Sequence, residues 1–224
     1  MIERDIYNAI PASGLPKFVK DLLIDAENAG AWTTGIESDK RLRGDAINVA
    51  VYGYNETTGL VVVQVRQCVF HPRRFNRVRK DYYLCGSNEI GTFFAHPVKS
   101  PCRSVRINTE TPEETVRRVL CAIWGVTDAY LDDVVRQGDV AFIPVVRIPK
   151  SARRIEGTEV LIRDTHKVIA PEIYSDGTDY YVKRGAKMLH TKQQHAQVKA
   201  REGLYKVVAG ERVCNWGFTA PVGD

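Results

Sequence analysis

The side chains richest in chemistry lie close together in the C-terminal half of the chain. Three of its five histidines, His166, His190 and His195, share a stretch with Lys167, Lys183, Arg184, Lys187, Lys192, Lys199 and Arg201. Imidazole titrates nearest neutral pH, so such a set could bind a metal, move a proton or face a phosphate. Metal-free RNA cleavage needs one histidine to deprotonate the 2′-hydroxyl and another to protonate the leaving oxygen. It also needs a lysine to stabilise the charged phosphorane. His166, His195 and Lys192 supply those residue types and are the candidate catalytic residues. A metal site would use the same imidazoles with a carboxylate, Asp164 and Glu172 being the nearest acids in sequence. The HExxH and CxxC spacings are absent, as are haem, flavin and phosphate-loop motifs, so no metal ligand and no cofactor is assigned. The plainer alternative is that the three histidines are separate surface or hydrogen-bonded side chains with no joint role.

A second group is His71-Pro-Arg-Arg-Phe-Asn-Arg-Val-Arg-Lys80, which contains no acid. Arg73, Arg74, Arg77, Arg79 and Lys80 could track a phosphate backbone while Phe75 stacks on a base. An equally ordinary role for this block is a solvated hairpin loop. Arg147, Lys150, Arg153 and Arg154 make a looser basic group.

These residues need elements to position them. Ser13-Gly-Leu-Pro16 starts a helix carrying Phe18, Val19, Leu22, Leu23 and Ala26 at helical spacing, with Gly30 as a C-cap. Asp39 to Asp45 reads as a charged connector. Ala46–Tyr54 and Leu60–Phe70 read as a hairpin around Asn55-Glu-Thr-Thr-Gly59, followed by strands at Val78–Cys85 and Thr92–Val98. Thr111-Pro-Glu-Glu114 combines an N-cap, an N1 proline and a capping-box glutamate ahead of the stripe Val116, Val119, Leu120, Ile123 and Trp124. A short helix over 127–136 follows. Val140–Arg147 then reads as an edge or bent strand because of Pro144. Further strands are expected at 159–162, 167–170, 180–183, 203–208 and 213–219, with Asp176-Gly177 as a two-residue hairpin turn. His190 and His195, five apart, would lie on opposite faces of a strand. They converge only if residues 191–194 turn, with His166 arriving from the preceding hairpin.

The fold class expected is α+β. An antiparallel β-rich N-terminal part with two or three helices (1–137) precedes an all-β small barrel or sandwich (138–224), and the two could pack as one unit. The 224 residues suffice for a core without disulfides. The five dispersed cysteines read as buried thiols in a reducing compartment. No apolar run approaches the ~20 residues of a membrane span, and the charged start lacks a secretory h-region. A cytoplasmic protein with no membrane partner is therefore expected. A net charge of +5 is mildly basic, short of a dedicated nucleic-acid binder.

Arg136-Gln-Gly-Asp-Val-Ala-Phe-Ile-Pro144, Arg163-Asp-Thr-His-Lys-Val168 and Thr191-Lys-Gln-Gln-His-Ala-Gln-Val198, followed by Gly203-Leu-Tyr-Lys-Val207, form a pattern. It resembles an uncharacterised family of small bacterial and phage β-domain proteins. That family shows a QGDV strand, a histidine hairpin and a THxxHAPI-like segment before a Gly-x-Tyr-x-Val strand. The resemblance implies a compact β fold and a bacterial or phage source, and no reaction. Lys192 stands where the first histidine of the THxxH segment would be, and His166 alone remains in the hairpin. This departure disfavours a metal site more than a phosphate-facing one.

The leading expectation is a cytoplasmic bacterial or phage protein that contacts nucleic acid, RNA favoured, with metal-independent nuclease chemistry left open. One alternative is a metal-binding β-barrel enzyme acting on a small molecule. Another is a non-catalytic structural or assembly protein, such as a homo-oligomer, whose Tyr82, Tyr83, Phe93 and Phe94 make partner contacts.

Overall fold

The computed structural model describes residues 10, 14–28, 42–69, 77–87, 93–99, 110–138, 140–192 and 196–209. The chain divides into two compact units, one running to Ile123 and the other beginning at Trp124.

In the N-terminal unit β1 (Leu42–Asn55), β2 (Leu60–Val69), β3 (Arg77–Ser87) and β4 (Phe93–Val98) form an antiparallel sheet in sequence order. The first hairpin falls where its Val-rich runs and Gly59 place it, with Gly59 at φ +66. Residues 42–45 of the connector expected over 39–45 belong to β1, which starts at Leu42, paired with Val69, and residues 39–41 lie outside the described residues.

Helices α1 (Lys17–Asn28) and α2 (Pro112–Trp124) pack on opposite faces of this sheet. Val19, Leu22 and Ala26 of α1 meet Val61, Val63, Val65, Tyr83 and Cys85. Val116 and Val119 of α2 meet Ala50, Tyr52, Val62 and Leu84. Successive residues of β2 thus serve two different cores, which is why this strand has a nearly continuous valine run instead of an alternating one. Burial also pushes the Cys85 thiol well above the ordinary range, since the thiolate would lie in an apolar core.

The capping box at α2 is realised in both directions. The Glu114 N–H donates to Thr111 Oγ1 at 3.2 Å, and the Thr111 N–H donates to Glu114 Oε2 at 2.6 Å. Arg118, one turn on, clasps Glu110 through two hydrogen bonds of 2.8 and 2.7 Å. The first turn of α2 lies hard against β1. A Cβ built on Gly53 would come within 2.6 Å of the Pro112 carbonyl oxygen and 2.7 Å of Thr115 Cβ. Glycine, next to a register shift between Val51 and Gly53, makes that approach feasible.

The C-terminal unit opens with the single-turn helix α3 (Asp128–Leu131). The longer helix expected over 127–136 stops there, and β5 (Val135–Gln137) pairs with β6 (Val140–Pro144). That pairing ties residues 135–137 to the C-terminal unit, whereas the sequence suggested a division at 137. The remaining strands are β7 (Arg153–Arg154), β8 (Glu159–Ile162), β9 (His166–Ile169), β10 (Ile173–Ser175), β11 (Tyr180–Lys183), β12 (Lys187–His190), β13 (Val198–Lys199) and β14 (Leu204–Ala209).

These strands make two antiparallel sheets, β5-β6-β14-β11-β10-β7 and β13-β12-β9-β8. Both contribute to one core, in which Phe142, Tyr205, Val182 and Ile173 meet Ile162, Val168 and Met188. No closed barrel forms among the described strands. β6 is an interior strand, not an edge. Pro144 is harmless because it ends the strand, opposite Tyr205. The Asp176-Gly177 turn is longer than two residues: Ser175 pairs with Tyr180, and Asp176 Oδ1 accepts the N–H groups of Thr178 and Asp179. The strand expected at 213–219 and the Gly30 cap lie outside the described residues.

Candidate functional site

His166 opens β9 immediately after the β8–β9 turn. Arg163 and Asp164 there have φ of 50° and 61°, and the Thr165 N–H donates to the Ile162 carbonyl. Two successive left-handed residues are the mark of a type I′ hairpin turn, formed here without glycine. His190 ends β12, directly opposite His166 in the antiparallel register. Thr191 locks the two strand ends together. Its N–H donates to the Thr165 carbonyl at 2.7 Å and its hydroxyl to the Asp164 carbonyl at 3.3 Å.

The two imidazoles meet edge to face, with ring centroids 4.9 Å apart and planes at 88°. His166 is fully buried and His190 is 3% exposed. Alternation along the strands puts both on the core side, with Val168 and Met188. The Lys192 backbone N–H donates to His190 Nδ1 at 3.2 Å. That nitrogen therefore serves as an acceptor. His166 Nδ1 lies 2.9 Å from Thr165 Oγ1, a hydroxyl that can serve either tautomer.

Of the three candidate catalytic residues, His166 faces the core instead of water, and its ring meets that of His190. Lys192 is exposed and reaches the pair through its backbone amide, not its ammonium. His195 lies outside the described residues. Among the described residues no group of three or more histidines, cysteines or acids is arranged to hold a metal ion. Glu172 instead accepts from Lys183 at 2.6 Å and from Tyr174 at 3.0 Å, which holds its carboxyl below the usual range.

Gln137 is a polar residue whose position the sequence did not flag. It is 2% exposed in β5, and its Nε2 donates to the Ala196 carbonyl at 2.5 Å. Its place in the Gln-Gly-Asp-Val motif was visible, but that motif joins β5 to β6 instead of forming one strand, and the tie to residue 196 depends on tertiary structure.

The basic block divides. Arg73, Arg74 and Phe75 lie outside the described residues. Arg77, Arg79 and Lys80 belong to β3, where Arg77 stands opposite Val69, Arg79 opposite Gln67 and Lys80 opposite Arg66. Lys80 is exposed. The looser basic group belongs to the other unit. There Arg153 and Arg154 form the edge strand β7, Arg153 Nη1 donates to the Lys150 carbonyl, and Arg154 lies 3.8 Å from Glu172.

Of the aromatics considered for partner contacts, Tyr83 is buried, whereas Tyr82, Phe93 and Phe94 are half-buried. Tyr83 is in the core facing α1 with Phe93 against it, and Tyr82 packs on the α2 side, where its hydroxyl accepts from Gln64 at 2.7 Å. No helix among the described residues is long and apolar enough to cross a membrane. No protein-family model, curated protein or solved structure matches the chain.

Proposed function

We propose that the protein contacts nucleic acid, single-stranded RNA in the first instance, through one end of the N-terminal sheet. The observation that carries this reading is strand register. Pairing of β2 with β3 sets Arg66 opposite Lys80, with Arg77 and Arg79 on the same strand as Lys80. Arg43 stands near the start of β1, beside Leu42, which pairs with Val69 at the same end. Arg73, Arg74 and Phe75 belong to the connection between β2 and β3. Cationic residue types gathered at one end of a sheet suit a phosphate backbone. Phe75, adjacent to these arginines in sequence, is of a residue type that stacks on the splayed bases of a single strand.

Catalysis is no part of this proposal. General acid–base chemistry requires hydrogen-bond reach to the phosphate, and His166 is fully buried. For the C-terminal unit we propose the sandwich form of the expected architecture, supported by two sheets that share one core.

The test is fluorescence anisotropy with labelled oligouridylate across a salt series, comparing the native chain with an Arg77→Glu, Arg79→Glu, Lys80→Glu variant. The reading expects affinity that falls with salt. The variant should bind at least about tenfold more weakly, with a salt slope flatter by roughly 0.7 for each phosphate it no longer neutralises. Equal affinity and slope in a variant with an unchanged unfolding midpoint would overturn it.

A further inference from the structure

The four-stranded sheet of the C-terminal unit buries one face and leaves the other in solvent. On the buried face lie Val160, Ile162, Val168, Met188 and Val198. Register places the outward residues in two rows. Glu159, Ile169, Lys187 and Lys199 stand in line across the four strands, and Leu161, Lys167 and Leu189 form the next row.

Two features set this face apart from an ordinary solvated surface. Lys187 and Lys199 are directly opposite each other and both exposed, yet neither forms an ion pair with an acid among the described residues. Lys167, by contrast, is paired with Glu159 at 3.2 Å. Two ammonium groups facing each other across a sheet are unfavourable. In addition, Leu161 is 49% exposed, with Ile169 and Leu189 half-buried on the same face. The rows therefore present aliphatic side chains between lysines, with three cations against one carboxylate.

We infer that this face is a docking surface for an acidic protein segment that carries aliphatic side chains, its carboxylates seated on Lys187 and Lys199 and its apolar side chains on Leu161, Ile169 and Leu189. Charge complementarity selects an anionic partner. The aliphatic surface and the lack of arginine or aromatic side chains among these seven residues select protein over nucleic acid, which is gripped by arginine forks and ring stacking. Four strands at a spacing of about 4.8 Å span roughly 14 Å, the width of a short peptide segment. An interface of that size falls below the ~800 Å² per partner of stable complexes, so binding is weak and reversible. The inference is independent of the nucleic-acid reading, since it uses no residue of the basic block.

The experiment titrates the full chain with a fluorescein-labelled amphipathic peptide of glutamates with leucine at every third or fourth position. It is compared with the same peptide bearing serine for leucine, and with oligouridylate of equal charge. The leucine peptide should bind more tightly than the serine peptide. Lys187→Glu with Lys199→Glu should weaken it at least about tenfold, and Leu161→Ser about fivefold, with the unfolding midpoint unchanged as befits exposed sites. The inference fails if the leucine peptide does not bind, or binds equally to all variants. It also fails if the lysine variants abolish oligouridylate binding while Leu161→Ser leaves the peptide unaffected, which would make the face a general polyanion site.

Discussion

The sheet of the N-terminal unit and the smaller sheet of the C-terminal unit have four antiparallel strands each, yet they bury their residues differently. The first is covered by a helix on each face, so Val61, Val62, Val63 and Val65 are all buried. The second is covered on one face, so β8 alternates between exposed Glu159 and Leu161 and inward-facing Val160 and Ile162. A continuous apolar run therefore marks a strand between two layers, and alternation marks a strand at a boundary. The same alternation decides the fate of the histidines. On a one-sided sheet a residue's parity determines whether it meets water, and His166 and His190 share the parity of Val168 and Met188.

This contrast has a direct consequence for charge insertion, the largest effect expected. Val62→Asp and Val63→Asp should both be severe, each costing more than about 4 kcal/mol, because either face buries an unpaired carboxylate. In β8, Ile162→Asp should be comparably severe and Leu161→Asp should stay within about 0.5 kcal/mol. Urea denaturation of the four variants checks this. A mild Val62→Asp, or a severe Leu161→Asp, would undo the contrast.

Next in size is Gly53→Ala. Its Cβ would collide with the backbone of α2, so a destabilisation of about 1–3 kcal/mol is expected, the range of overpacked sites. Thermal unfolding would read it, and a neutral result would mean that α2 does not approach β1 so closely. Thr111→Ala removes one half of the capping box and should cost about 1 kcal/mol, measured the same way.

The smallest effect is on pH dependence in the C-terminal unit. Glu172 is held below its ordinary value of 4.5, first by Lys183 and then by Tyr174. Asp176 is held below 3.8, first by the Asp179 N–H and then by that of Thr178. Carboxyls depressed in the folded state bind protons more readily in the unfolded chain. Their stabilisation is thus present above those ordinary values and is lost as pH falls through the lowered folded ones. Denaturation midpoints of Glu172→Gln and Asp176→Asn variants should fall less steeply below about pH 4 than those of the native chain. An identical acid slope would remove these two groups from the balance.

Much of the fold was legible where the signal is local. Thr111-Pro-Glu-Glu114 announced α2, and two Val-rich runs around Gly59 announced the first hairpin. Legibility failed where the determinant is remote. β7, β12 and β13 are two to four residues long and owe their existence to their neighbours. The β8–β9 turn uses Arg163 and Asp164 at positive φ, where glycine or asparagine would have signalled it. The histidine pairing was hidden for the same reason. Sequence spacing directed attention to His190 and His195, whereas cross-strand register joined His166 to His190. The basic block was visible as composition, but its alignment with Arg66 came from the pairing of β2 with β3.

The proposed nucleic-acid interface is tested most directly by two-dimensional NMR of the 15N-labelled full chain during titration with oligouridylate. A nucleic-acid interface at the basic end of the N-terminal sheet predicts the largest shifts at the amides of Arg66, Gln67 and residues 77–80, with those of His166 and His190 unmoved. Shifts confined to the C-terminal unit, with residues 77–80 silent at saturation, would contradict it.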